Sequence, residues 1–159
     1  MNKGITSILS AAVGAAVAVV FTKNNEEKKI QKARGYADKH LALFLMMNEW
    51  VKVKQKGKNL STYFEKKGYK KIAIYGMSYA GETLISELKD TGIEIAYAID
   101  KNASGMYLDD LDIYSMDEDL EKVDVIVVTA ITFFESIENE LSSKVEYPIV
   151  SLEDVLYEV

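Results

Sequence analysis

Gly76, Ser78 and Gly81, followed at position 100 by an aspartate, are the residues of this chain whose types and spacing suit chemistry. Small residues at i, i+2 and i+5 suit a loop that closes on a pyrophosphate. The first takes turn angles closed to other residues, the second leaves little bulk beside the guest, and the third lets a following helix pack close to the preceding strand. Free N–H groups at the helix start add hydrogen bonds and a partial positive charge. Asp100 stands nineteen positions beyond Gly81, where a carboxylate can accept hydrogen bonds from a ribose diol. Ser78 replaces the second glycine, and its Cβ and hydroxyl either crowd a pyrophosphate or offer it one more donor. A competing reading gives the small residues a packing role alone.

The elements around these residues have the order such a site needs. Lys70 to Tyr75 ends in a short, partly β-branched apolar run that predicts a buried strand, and Gly76 opens the turn. From Tyr79 to Lys89, Ala80, Leu84, Ile85 and Leu88 recur at helical spacing, and Thr91 and Gly92 stop the helix. Ile93, Ile95, Tyr97 and Ile99 alternate with smaller or polar residues, so a second strand returns parallel to the first. Lys101 and Asn102 follow at its carboxyl end, either as ribose or phosphate contacts or as an ordinary polar turn. Val123 to Val128 reads as another buried strand, ending in Thr129 and Thr132 as candidates for the crevice wall. Phe133 to Leu141 predicts a helix and Tyr147 to Val150 an edge strand that admits a proline; Ser151 with Asp154 caps a last helix. The candidate cofactor-binding set is Gly76, Ser78, Tyr79, Gly81, Asp100, Lys101, Asn102 and Thr129.

The stretch IAIYGMSYAGETLISELKDTGIEIAYAIDKNA resembles Rossmann-like domains that accompany enzymes of bacterial surface-polysaccharide synthesis. These include the N-terminal domains of sugar O- or N-acyltransferases and of membrane-bound nucleotide-sugar epimerase/dehydratases. YLDDLDIYSMDEDLEKVDVIVVTA and PIVSLEDVL extend the resemblance over about 60–156. It implies an α/β, three-layer Rossmann-like parallel sheet that handles NAD(P), another nucleotide or a nucleotide-sugar, with Gly76, Ser78, Gly81 and Asp100 on the turn and acid positions. In that group a catalytic domain usually follows this stretch.

The formal charge of −6 hides a split: up to Lys71 there are fifteen basic residues against five acidic, and beyond it four against twenty. A basic appendage facing an anionic surface, beside an acidic domain that avoids it, argues against nucleic-acid binding, where the basic patch would lie on the domain. Residues 4–21, GITSILSAAVGAAVAVVF, carry no charge and as a helix would extend about 27 Å, close to the hydrocarbon thickness of a bilayer. The lysines after it outnumber Lys3 before it, which predicts a single-pass anchor with the soluble part in the cytoplasm. A cleaved signal peptide and a buried helix are the competing readings. Domains are expected at 1–22 for the anchor, 23–68 for a helical linker or dimerisation region, and 69–159 for the nucleotide-binding domain.

From Asn24 to about Lys56 there is no proline, so one long helix is predicted. Ala37, Leu41, Phe44, Asn48 and Val51 form one stripe on it, and Leu43, Met46, Trp50 and Val53 form another. A helix apolar on two sides wants two contacts: the sheet domain, and a second copy of the helix across 24–56. Asn59 or Thr62 caps the next helix, Thr62 with Glu65 as a capping box, and Gly68 ends it.

The sequence has no cysteine, one histidine (His40), no Gly-x-Ser-x-Gly elbow and no metal-ligand spacing; Asp109, Asp110 and Asp112 read as a solvated acidic surface. No catalytic constellation is evident. The leading expectation is a membrane-anchored, non-catalytic nucleotide-binding module that regulates or recruits a polysaccharide-synthesis enzyme. The alternatives are the cofactor half of an NAD(P)-dependent nucleotide-sugar enzyme completed by another chain, and a membrane scaffold with a vestigial turn.

Overall fold

The structure, a computed structural model, describes residues 3–103 and 111–159, with side chains from residue 25 onward. The chain divides into two units, Met1–Leu41 and Ala42–Val159. Helix α1 runs over Lys3–Gln55 without interruption, as the lack of proline predicts. Among the described residues no helix is long and apolar enough to cross a membrane. The 4–21 segment, on which that expectation rests, lies outside the residues whose side chains are described.

The second unit is built on a five-stranded, wholly parallel sheet: β1 Lys71–Tyr75, β2 Glu94–Ile99, β3 Ile113–Tyr114, β4 Val125–Val128 and β5 Ile149–Ser151, in the order β3-β2-β1-β4-β5. The remaining helices are α2 Ser61–Lys67, α3 Tyr79–Leu88, α4 Phe134–Leu141 and α5 Leu152–Glu158, with a 3₁₀ turn at Ile131–Phe133 ahead of α4. From β1 the chain moves outward through β2 to β3, then crosses back to β4 and β5 on the other side of β1. The reversal therefore falls between β1 and β4, and in open α/β sheets the crevice outside the strands' carboxyl ends at that point is where ligands bind.

Strand side chains alternate between faces, and both faces of β1 and β4 are covered, which is why these strands read as continuous apolar runs. On one face Ile72, Ile74, Val125 and Val127 pack with Leu84 and Leu88 of α3, Phe64 of α2 and Val155 of α5. On the other, Ala73, Tyr75, Ile126 and Val128 pack with Ile137 and Leu141 of α4. The end of α1 joins the first of these clusters through Met46, Trp50 and Val53, all 3% exposed or less. The unit boundary falls at 41/42, and Leu60, Tyr63 and Phe64 join the same cluster as Met46, Trp50 and Val53, as expected of a helix end that contacts the sheet domain.

Of the two caps expected ahead of α2, Asn59 makes the contact: its Oδ1 accepts from the Ser61 N–H at 2.8 Å, while Thr62 lies inside the helix and its N–H donates to the Asn59 carbonyl. At the start of α5, Ser151 Oγ accepts from the Glu153 N–H at 3.2 Å, one residue earlier than Asp154. Asp109 and Asp110 lie outside the described residues.

Candidate functional site

The turn between β1 and α3 is shaped by close backbone approach. Gly76 has φ +100°, in the region that favours glycine, and its N–H donates to the Ile99 carbonyl at 2.8 Å. A Cβ there would also meet Thr129 Oγ1 at 2.8 Å. At Gly81, in the first turn of α3, a Cβ would fall on the Gly76 carbonyl oxygen, closer than real Cβ atoms approach anything. Both glycines are therefore required sterically by this turn, whatever it binds.

Asp100 follows the last residue of β2 and faces this turn. Its Oδ2 accepts from the Met77 N–H at 2.8 Å, and its Oδ1 accepts from the Asn102 N–H at 2.8 Å. The carboxylate thus joins the ends of β1 and β2. Each of its oxygens retains a lone-pair direction for a further donor, since a carboxylate offers about four acceptor sites. The Met77 amide, ahead of the helix start, is not open to a guest, because Asp100 already takes it. The initial N–H groups of α3, at Tyr79 to Gly81, lie before its i to i−4 ladder begins. Ser78 precedes them in extended conformation, exposed, and its hydroxyl makes no capping bond.

A cavity of about 270 Å³ opens at the carboxyl ends of β1, β2 and β4. It is lined by Tyr75, Gly76, Asp100, Lys101, Ala130, Phe133, Ser136 and Ile137. Of the residues expected from sequence it brings together Gly76, Asp100 and Lys101. Tyr79 is 86% exposed and does not line it, and Ser78, Gly81 and Asn102 contribute through the turn and the Asp100 carboxylate. Thr129 does not reach it either. It is 1% exposed, and its hydroxyl turns inward, donating to the Gly76 carbonyl at 2.6 Å with the Tyr75 carbonyl at 3.1 Å. Thr129 therefore positions Gly76 rather than offering a group to a guest. Thr132 lines a neighbouring depression with Glu135, Ser151 and Asp154.

Sequence reasoning missed Tyr75, Ala130, Phe133, Ser136 and Ile137. The signal available was the sheet-edge rule, which applies to the loop after β4 as much as to the loop after β1. The Tyr75 hydroxyl is buried with no hydrogen-bond partner, the sole such side-chain atom among the described residues. Burial pushes its phenol pKa up, and the charges of Glu140 and Asp100 add to the effect. Among the described residues no group of three or more His, Cys, Asp or Glu could hold a metal ion.

The cavity offers a carboxylate, an amine from Lys101, a hydroxyl from Ser136 and apolar walls from Phe133 and Ile137. Its volume is just below the roughly 300–1,000 Å³ of small-molecule pockets, so it suits one part of a larger molecule, the rest lying along the turn. The open α3 amides and Lys101 suit an anion, and Asp100 suits a hydroxylated group.

No curated protein and no solved structure matches the chain. A family model described as C2185-like, N-terminal, matches residues 68–149, which include β1, the glycine turn, Asp100, β4 and the cavity-lining residues. That match covers just over half of the 159 residues, and the chain belongs to the C2185-like N-terminal domain family.

Proposed function

We propose that this protein is a membrane-anchored module that binds a nucleotide or nucleotide-sugar at the carboxyl edge of its sheet and has no catalysis of its own. Occupancy of that edge regulates or recruits an enzyme of surface-polysaccharide synthesis. The observation that carries the binding part is the Asp100 carboxylate hydrogen-bonded to the glycine turn at the mouth of the cavity, two residues upstream of the open amides of α3. A sugar diol seated on Asp100 would direct its phosphate toward those amides and Lys101. The anchor reading rests on the charge-free 4–21 segment and the lysines that follow it. The polysaccharide partner rests on the resemblance of 60–156.

A second reading, a membrane scaffold with a vestigial turn, is favoured by one contact: the Met77 amide is already satisfied by Asp100, so a pyrophosphate has one donor fewer to gain. A thermal-stability panel on the full chain in detergent, with NAD(P), acyl-CoA and a UDP-sugar, separates the readings. Saturable stabilisation without turnover supports the binding module. Turnover supports the half-enzyme, and no shift with any of the three supports the scaffold.

A further inference from the structure

Tyr75, the last residue of β1, has a buried hydroxyl that no group of the described chain pairs. The residue is 3% exposed and lines the cavity at the sheet edge, and it packs in one cluster with Ile137, which lines that cavity too. A buried hydroxyl without a partner is costly, and a phenylalanine would fill the same space without that cost. The oxygen therefore calls for a partner from outside the chain. Burial raises the phenol pKa, and the carboxylates of Glu140 and Asp100 raise it further, so the group stays neutral and keeps its proton to donate. The same two charges disfavour an anionic partner, which leaves a neutral acceptor. The walls beside Tyr75, at Ala130, Phe133 and Ile137, are apolar. A flat ring bearing a carbonyl or a ring nitrogen matches both features, whereas a phosphate matches neither.

We propose that the cavity takes the base of a bound nucleotide, and that the Tyr75 hydroxyl donates a hydrogen bond to a neutral acceptor on that base. This rests on the sheet-edge reading above and deepens it. With the ribose diol on Asp100 and the phosphate at the α3 amides and Lys101, the base is the part left for the apolar cavity. The hydroxyl is covered, so the Tyr75 side chain turns toward the guest as the two pair, and the cost of its burial is relieved only in the complex. Tyr75 is in this way a specificity residue, one that separates a nucleotide from a bare sugar phosphate.

The test is calorimetric titration of the full chain in detergent with UMP, with AMP and with ribose 5-phosphate, which keeps the diol and the phosphate but lacks the base. Wild type should bind one of the two nucleotides about tenfold or more tightly than ribose 5-phosphate. Tyr75→Phe should bind that nucleotide about tenfold more weakly and ribose 5-phosphate unchanged. Without ligand it should melt no lower than wild type, because no bond within the chain is lost. Equal affinity for nucleotide and ribose 5-phosphate, or a Tyr75→Phe protein that binds the nucleotide as wild type does, would overturn the inference and leave sheet-edge binding standing. A ligand-free Tyr75→Phe protein that melts several degrees below wild type would also overturn it, by showing the hydroxyl already paired within the fold. Wild type that binds none of the three probes, yet is stabilised by a UDP-sugar or NAD(P), overturns this inference alone; no response to any of them overturns the sheet-edge reading as well.

Discussion

Replacing Asp100 by alanine tests whether its carboxylate holds the glycine turn. The substitution removes the acceptor of two backbone N–H groups, Met77 and Asn102, both at 2.8 Å. Hydrogen bonds to an ionised acceptor contribute about 1.5–3 kcal/mol each, but Asp100 is only half-buried and water can replace part of each bond, so the expected loss is about 2–3 kcal/mol. At about 4 °C per kcal/mol for a domain of this size, the melting temperature should fall by roughly 10 °C. Asp100→Asn separates the two bonds. Its amide oxygen can still accept from Asn102, while its NH₂ group would oppose the Met77 N–H, donor against donor, at a cost of about 1–2 kcal/mol. Urea denaturation of the three proteins measures both differences. An Asp100→Ala protein within about 0.5 kcal/mol of wild type, the usual effect of an inert surface change, would refute the claim that this side chain ties β2 to the turn.

Gly81→Ala places a Cβ on the Gly76 carbonyl, which as backbone cannot swing aside; a loss of about 1–3 kcal/mol is expected in the same titration. Trp50→Ala, at a side chain 3% exposed, should cost about 3–5 kcal/mol, and a loss below 1 kcal/mol would show that the end of α1 is not core. Asp124 accepts from the Lys71 and Lys70 N–H groups at 2.8 and 2.7 Å, the first named being the larger cause, and these hold its carboxyl below the usual carboxylate range. Its folded pKa lies below its unfolded one, so this contribution is present above about pH 4 and is lost as pH falls through the folded value. The stability gap between wild type and Asp124→Asn should therefore be wider at pH 7 than at pH 3, and an equal gap at both would contradict the assignment.

The strand, turn, helix and strand from Lys71 to Ile99 were legible in the sequence because each has its own local signal: a short buried run, a glycine, a helical stripe and an alternation. β3 was not. Its two residues, Ile113 and Tyr114, sit in an acidic stretch too short for any periodicity, and their pairing with Ala98 and Ile99 is a tertiary choice. The two stripes of α1 were legible, and burial distinguishes them: Trp50 faces the sheet and Phe44 faces outward. Spacing located Asp100 beside the turn but could not show that its carboxylate takes the Met77 amide, which depends on a side-chain rotamer. Thr129 stands at the strand end, where a crevice wall is expected, yet its hydroxyl turns inward and donates to the Gly76 carbonyl, a side-chain orientation that spacing does not specify. Phe133 and Ser136 reach the cavity because a 3₁₀ turn at Ile131–Phe133 precedes α4, and that turn has no marker in the sequence.

The most direct measurement of the central claim is amide NMR of the ¹⁵N-labelled full chain in detergent, titrated in turn with a UDP-sugar and with NAD(P). Binding at the sheet edge predicts saturable shifts at Gly76, Ser78, Gly81 and Lys101, diminished in Asp100→Ala, with residues on the far end of the sheet such as Lys71 unmoved. Spectra in which these four amides stay still at every ligand concentration, or move no more than Lys71 does, would contradict it.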